Sequence, residues 1–88
     1  MRESVIEKKV TEYAKQNGWL SYKWTSPNNR AVPDRLFFKN SVVVMVEFKA
    51  PGKQPTKLQQ VIHQKLNNEG FIVHVVDSIE TGKQLFTQ

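Results

Sequence analysis

Apolar residues recur at helical spacing over the first sixteen positions. At about 100° per residue, Ile6, Val10, Tyr13 and Ala14 fall on one stripe, so the pattern predicts an amphipathic helix that packs this stripe inward. Ser4 stands at the position of a cap, and Gly18 stops the helix after about Gln16. The period then shortens to two, with Leu20, Tyr22 and Trp24 alternating with Ser21 and Lys23 as in a strand. Ser26-Pro27-Asn28-Asn29-Arg30 is polar and turn-rich and reads as a loop. Strands from Asp34 to Phe38 and from Val42 to Lys49 meet across Lys39-Asn40-Ser41. Pro51, Gly52 and Pro55 break the chain before a second helix, Thr56 to Asn68, with Leu58, Ile62 and Leu66 facing inward and Gly70 closing it. Phe71 to Val76 is a fourth strand, apolar on both faces except for His74, and Ser78 to Phe86 predicts a short helix with Gly82 inside it. The order αβββαβ predicts an α/β sandwich with helices on a small mixed sheet, in one domain over residues 1–88. Trp19, Tyr22 and Trp24 read as core or interface aromatics.

The register of the central hairpin carries the chemistry. With Asn40 and Ser41 as the turn residues, paired positions sum to 81, which sets Asp34 opposite Glu47 on one face and puts Lys49 there too. An odd loop would slip the pairing and send one carboxylate to the other face. Leu36, Phe38, Met45 and Val43 continue this face while Phe37, Val44, Val46 and Phe48 fill the other, which predicts a sheet buried on both sides. Two opposed carboxylates repel and must be relieved by a shared proton, a cation or water. A hard divalent ion does this best, since oxygen ligands suit Mg²⁺ and Mn²⁺. On the first helix Glu7 borders the buried stripe and is the expected third acid, with Glu3, nearer the frayed end, as its rival. Gln59 at the edge of the second helix's stripe can bring an amide to the same place, whereas His63 and His74 read as a surface and a strand residue.

Composition narrows the field. The 88 residues contain no cysteine, which excludes a disulfide framework and a thiolate metal site. The longest apolar run, Val42 to Val46, is far short of the roughly 20 residues of a membrane span, and no signal-peptide core follows Met1; a cytoplasmic, intracellular protein without membrane contact is expected. Thirteen Lys and Arg against eight Asp and Glu leave a formal charge of +5, the sign suited to a phosphate backbone. Lys23, Arg30, Arg35, Lys53 and Lys57 lie in sequence around the acids and are natural phosphate contacts.

Pro33-Asp34 followed by Glu47-Phe48-Lys49 matches the PD-(D/E)xK nuclease signature. Taken with Glu7, Ser26-Pro27 ahead of Val32-Pro33-Asp34-Arg35, Lys49-Ala50-Pro51-Gly52, Leu58-Gln59, Leu66 and Gly70-Phe71, the chain from about Glu3 to Asp77 resembles the virus-type replication-repair nuclease (VRR-NUC) domain in its minimal stand-alone form, as carried by phages and bacteria. Ala31 departs from the glycine usual before Val-Pro-Asp, and would carry strain if the backbone there required a positive φ. The resemblance implies a restriction-endonuclease-like fold and metal-dependent phosphodiester hydrolysis leaving 5′-phosphate and 3′-hydroxyl ends. In that scheme Mg²⁺ or Mn²⁺ sits on Asp34, Glu47 and the backbone carbonyl of Phe48, with Glu7 completing the shell. Lys49 orients water or neutralises developing charge, Gln59 holds the water or Lys49, and Ser26 joins the basic residues on DNA. The stand-alone form further implies a homodimer that resolves four-way (Holliday) junctions, its interface formed by the aromatic strand or by Leu85-Phe86. A flap or nicking nuclease and a non-catalytic basic DNA-binding subunit are the alternatives.

Overall fold

The computed structural model of the chain describes residues 1–87. Along it run α1 (Glu3–Gln16), β1 (Leu20–Lys23), β2 (Arg35–Lys39), β3 (Val42–Phe48), α2 (Lys57–Asn68), β4 (Val73–Val76) and α3 (Ile79–Gln84). The strands form one open mixed sheet in the order β1-β2-β3-β4, with β4 parallel to β3 and the other pairs antiparallel. The expected αβββαβ order and terminal helix are both present. Boundaries move by one or two residues: Arg2 rather than Ser4 is the N-cap of α1, without a side-chain bond, and the last strand begins at Val73, leaving Phe71 and Ile72 exposed.

Asn40 and Ser41 both adopt positive φ, 49° and 67°, the conformation of a two-residue hairpin turn whose twist matches that of its strands. The pairing that results sets Leu36 against Met45 and Lys39 against Val42, every pair summing to 81. One step beyond β2, the Asp34 N–H donates to the Val46 carbonyl at 3.0 Å and the Asp34 carbonyl accepts from Trp24 N–H at 3.0 Å.

One face of the sheet is the core. Phe37, Val46 and Phe48 lie fully buried against Ile6, Val10 and Ala14 of α1. Phe86 is fully buried with them, its ring 4.5 Å from Phe37 and 5.2 Å from Trp19. It is therefore a core residue, which removes Leu85-Phe86 as an intermolecular interface. The glycine inside α3 also has a steric cause, because a Cβ on Gly82 would run into Val10 Cγ2 and lie 2.9 Å from Val76 Cγ1. Gly82→Ala is expected to destabilise the fold by about 1–3 kcal/mol, the usual range for an overpacked core. At roughly 4–8 °C of melting temperature per kcal/mol for a chain of this size, a thermal scan reads the effect directly.

The opposite face is covered in part only, contrary to the two-sided burial expected from its apolar residues. There α2 packs on β4 and buries Ile62, while Leu58 points to solvent. Met45 is buried, but Leu20, Tyr22 and Val43 farther along the same face are 60%, 62% and 42% exposed. A twelve-residue helix cannot shield four strands, so the half of the face beyond its reach stays open.

Candidate active site

Asp34 and Glu47 meet where β2 begins and β3 ends. Pro33, buried ahead of Asp34, fixes φ and gives up no needed donor. The aspartate side chain is anchored by the Phe48 N–H, which donates to Oδ2 at 2.7 Å. Glu47 is only 1% exposed, and its carboxyl group lies within hydrogen-bonding reach of Asp34. Burial first, then the negative charge of Asp34 and their shared hydrogen bond, push the Glu47 carboxyl up to about 8, against the opposing pull of Lys49. The charge of Lys49 also acts on Glu3 and His63, so its ammonium belongs to this cluster.

The second helix holds Glu47 from above. Thr56 caps α2 by accepting the Gln59 N–H at 3.2 Å, while Gln59 Oε1 accepts from the Thr56 N–H at 2.9 Å, a reciprocal capping box. With its oxygen committed to the cap, the Gln59 amide presents Nε2, which donates to Glu47 Oε2 at 3.3 Å. One turn later His63 Nε2 lies 3.4 Å from Glu47 Oε1. Burial and then Lys49 hold His63 below its ordinary range, so near neutral pH this contact is a hydrogen bond between uncharged groups. Read as a surface residue from sequence, His63 is a member of the cluster; the available signal was its position four residues after Gln59 on one helical face.

Helix α1 presents its acids differently from expectation. Glu7 is engaged by Arg35, whose Nε donates to Oε2 at 2.8 Å, and by Lys23 at 3.6 Å. Arg35 also donates to Ser21 Oγ at 3.2 Å and is itself largely buried. These residues form a brace between α1 and the β1–β2 edge, in which the Arg35 guanidinium is engaged by Glu7 and Ser21. One turn earlier, Glu3 is raised above its ordinary carboxyl range by partial burial and then by Asp34. Glu3, the rival at sequence level, is thus the α1 acid that senses the Asp34–Glu47 pair.

Lys23, Arg30, Lys53 and Lys57 are exposed. Ser26 and Asn29 close a turn through the Asn29 N–H to Ser26 carbonyl bond at 3.2 Å. Ala31 is buried and has no positive φ, so alanine in place of glycine introduces no backbone strain. Among the described residues no group of three or more His, Cys, Asp and Glu is arranged to hold a metal ion. Two close carboxyl groups beside a strand end, Glu47 buried and Asp34 half-buried, still suit a hard ion, because Mg²⁺ is commonly held by one or two carboxylates and retains several waters.

No family model matches the chain. It is 42% identical over 79 residues to a protein named "Putative nuclease p44" from Acyrthosiphon pisum secondary endosymbiont phage 1, covering 89% of this chain and 85% of the relative. A solved structure described as a VRR_NUC domain superposes with a TM-score of 0.86 at 26% identity, over 94% of this chain and 91% of the other.

Proposed function

Because the chain belongs to the VRR-NUC family of nucleases, we propose that it is a PD-(D/E)xK endonuclease that hydrolyses DNA phosphodiester bonds with Mg²⁺ or Mn²⁺ held at Asp34 and Glu47. The observation that carries this reading is the buried Glu47 carboxyl held against the half-buried Asp34, with the charge of Lys49 acting on it. Two acids that close, one of them kept from water, are unfavourable unless a cation or proton joins them. A divalent ion bound there supplies Lewis acidity toward the scissile phosphate and lowers the pKa of water.

The chain's own residues do the rest. Asp34, pinned by the Phe48 N–H, and Glu47, held at both oxygens by Gln59 and His63, form a donor set with little freedom to reorganise. The Phe48 carbonyl is the proposed backbone donor. Lys49 neutralises charge that develops on the phosphate oxygens. Glu3 takes the outer position on α1, supported by its electrostatic coupling to Asp34, while Glu7 keeps the helix in place. Glu3→Gln is therefore expected to slow cleavage at least about tenfold at unchanged stability. In contrast, Glu7→Gln should leave Arg35 poorly paired and lower stability by about 1–3 kcal/mol. Parallel rate assays and denaturant melts separate these outcomes.

The preferred substrate is branched DNA, with a four-way junction first, cut by a homodimer in which two sites face two strands. Its support is the open half of the sheet around Leu20 and Tyr22, an apolar surface suited to a second copy. Lys23, Arg30, Lys53 and Lys57 are the proposed phosphate contacts. Four-way, flap, nicked and linear duplexes incubated with Mg²⁺ or Mn²⁺ test the assignment. Paired symmetric cuts near the crossover, with a dimeric mass in solution, support the resolvase. Cuts at flaps or nicks alone replace it with the flap or nicking reading, and binding without cleavage under either ion replaces it with a non-catalytic subunit.

A further inference from the structure

A groove of about 510 Å³ runs between the turn at Asn28–Arg30 and α2. Its walls combine Asn28 and Arg30 on one side with Leu58, Val61 and Lys65 on the other, over Ile62. The size falls within the roughly 300–1,000 Å³ of small-ligand sites. Two features need explanation. Leu58 and Val61 are 57% and 49% exposed although they sit on a helix that packs against the sheet, and the same groove is lined by the cations Arg30 and Lys65. Gln59 and His63, which touch Glu47, lie on the other flank of α2, across the buried Ile62 from Leu58, Val61 and Lys65. The turn across the groove is fixed by the Asn29 Oδ1 bond to the Ala31 N–H at 3.0 Å and leads directly into Asp34.

A phosphate backbone accounts for the cations but gives nothing to exposed aliphatic side chains. A base inside an intact duplex has its faces hidden by its neighbours. An unstacked nucleotide offers both an apolar base or sugar face and a phosphate, and that combination matches Leu58 and Val61 with Arg30 and Lys65. We propose that this groove takes a nucleotide unstacked at a DNA branch, which makes Leu58 and Val61 determinants of selectivity for branched over linear DNA; this rests on the nuclease reading of the Asp34–Glu47 pair. Extracting a base from a stack costs a few kcal/mol, least where it is already unpaired. A site that rewards only the extracted form therefore discriminates DNA shape without reading sequence.

The test is binding, measured by fluorescence anisotropy in EDTA so that cleavage plays no part. The probes are a four-way junction, a splayed duplex with two unpaired nucleotides at the fork, and a linear duplex of equal length. The double variant Leu58→Ser/Val61→Ser should lose about tenfold in affinity for the junction and the splayed duplex, with less than twofold change on the linear duplex. Leu58→Met/Val61→Ile should keep the parental preference. Arg30→Ala/Lys65→Ala should weaken binding to all three and reduce the salt slope by about 1–2. With 2-aminopurine at the fork, the parent should change its fluorescence more than the serine variant does. An equal loss on all three DNAs, or none, overturns the inference, as does a parent that binds no DNA. A serine variant that turns from dimer to monomer also overturns it, by making the groove a protein interface. Because cleavage is scored separately with Mn²⁺, a protein that cuts but shows none of these differences refutes the groove alone. One that discriminates as described but does not cut refutes the catalytic reading alone.

Discussion

Asp34→Asn is expected to lower DNA cleavage by at least about a thousandfold while leaving the fold intact and DNA binding within a few-fold of the parent. The substitution keeps the side-chain oxygen that can accept from Phe48 N–H at 2.7 Å, so the start of β2 retains its anchor. It removes the charge that, with Glu47, would hold the proposed divalent ion, and a loss of that ion's stabilisation of the transition state would be worth several kcal/mol. Single-turnover rates with saturating Mn²⁺, set beside circular dichroism and anisotropy, test this. A variant that cuts at the parental rate would remove Asp34 from the mechanism. A variant that unfolds would show instead that the aspartate is needed for the strand end.

The second large effect is a dependence of stability on pH that a divalent ion reverses. The Glu47 carboxyl is raised from 4.5 to about 8, so between these values the folded protein retains a proton that the unfolded chain releases. Stability is then highest below about pH 4.5 as far as this group is concerned and falls as pH rises through 8, by on the order of a few kcal/mol. His63 and His74, held neutral by burial, act in the opposite sense, adding stability as pH rises toward their ordinary value of 6.5. The decline is therefore clearest between pH 7 and 8. Thermal melts in EDTA should show it, Glu47→Gln should flatten it, and Mn²⁺ should raise the parent's melting temperature more at pH 8 than at pH 6. A melting temperature in EDTA that climbs from pH 7 to 8 would contradict the raised carboxyl of the buried Glu47.

Much of this arrangement is legible in the linear sequence, and the parts that are not have identifiable causes. The hairpin is local: two turn residues set the register, and that register alone places Asp34 opposite Glu47. The capping pattern Thr56-x-x-Gln59 is likewise local, and it explains which end of the glutamine amide meets Glu47. Periodicity could not decide between Glu3 and Glu7, because both lie near the edge of one stripe. Arg35 and Lys23 approach from a different element and pair with Glu7, which favours Glu3 for the proposed outer position. His63 was missed for a similar reason, since its partner lies sixteen residues away on a strand. The spacing of Leu58 predicts an inward position, but it lies in the first turn of α2 and is exposed, and Ile62 one turn later is the residue the helix buries. Phe86 shows the reverse case: a terminal aromatic available for an interface on sequence grounds fills the core between Phe37 and Trp19.

The Glu47 carboxyl, raised to about 8 by burial and by the charge of Asp34, keeps a proton near neutral pH that a divalent ion at the proposed site would displace. Calorimetric titration of Mn²⁺ into the metal-free protein at pH 7.5, repeated in buffers of different ionisation enthalpy, measures the ion and the proton together. Saturable binding with release of close to one proton per ion, abolished in Asp34→Asn, is the predicted result. Binding that releases no proton, or that persists unchanged in Asp34→Asn, would contradict it.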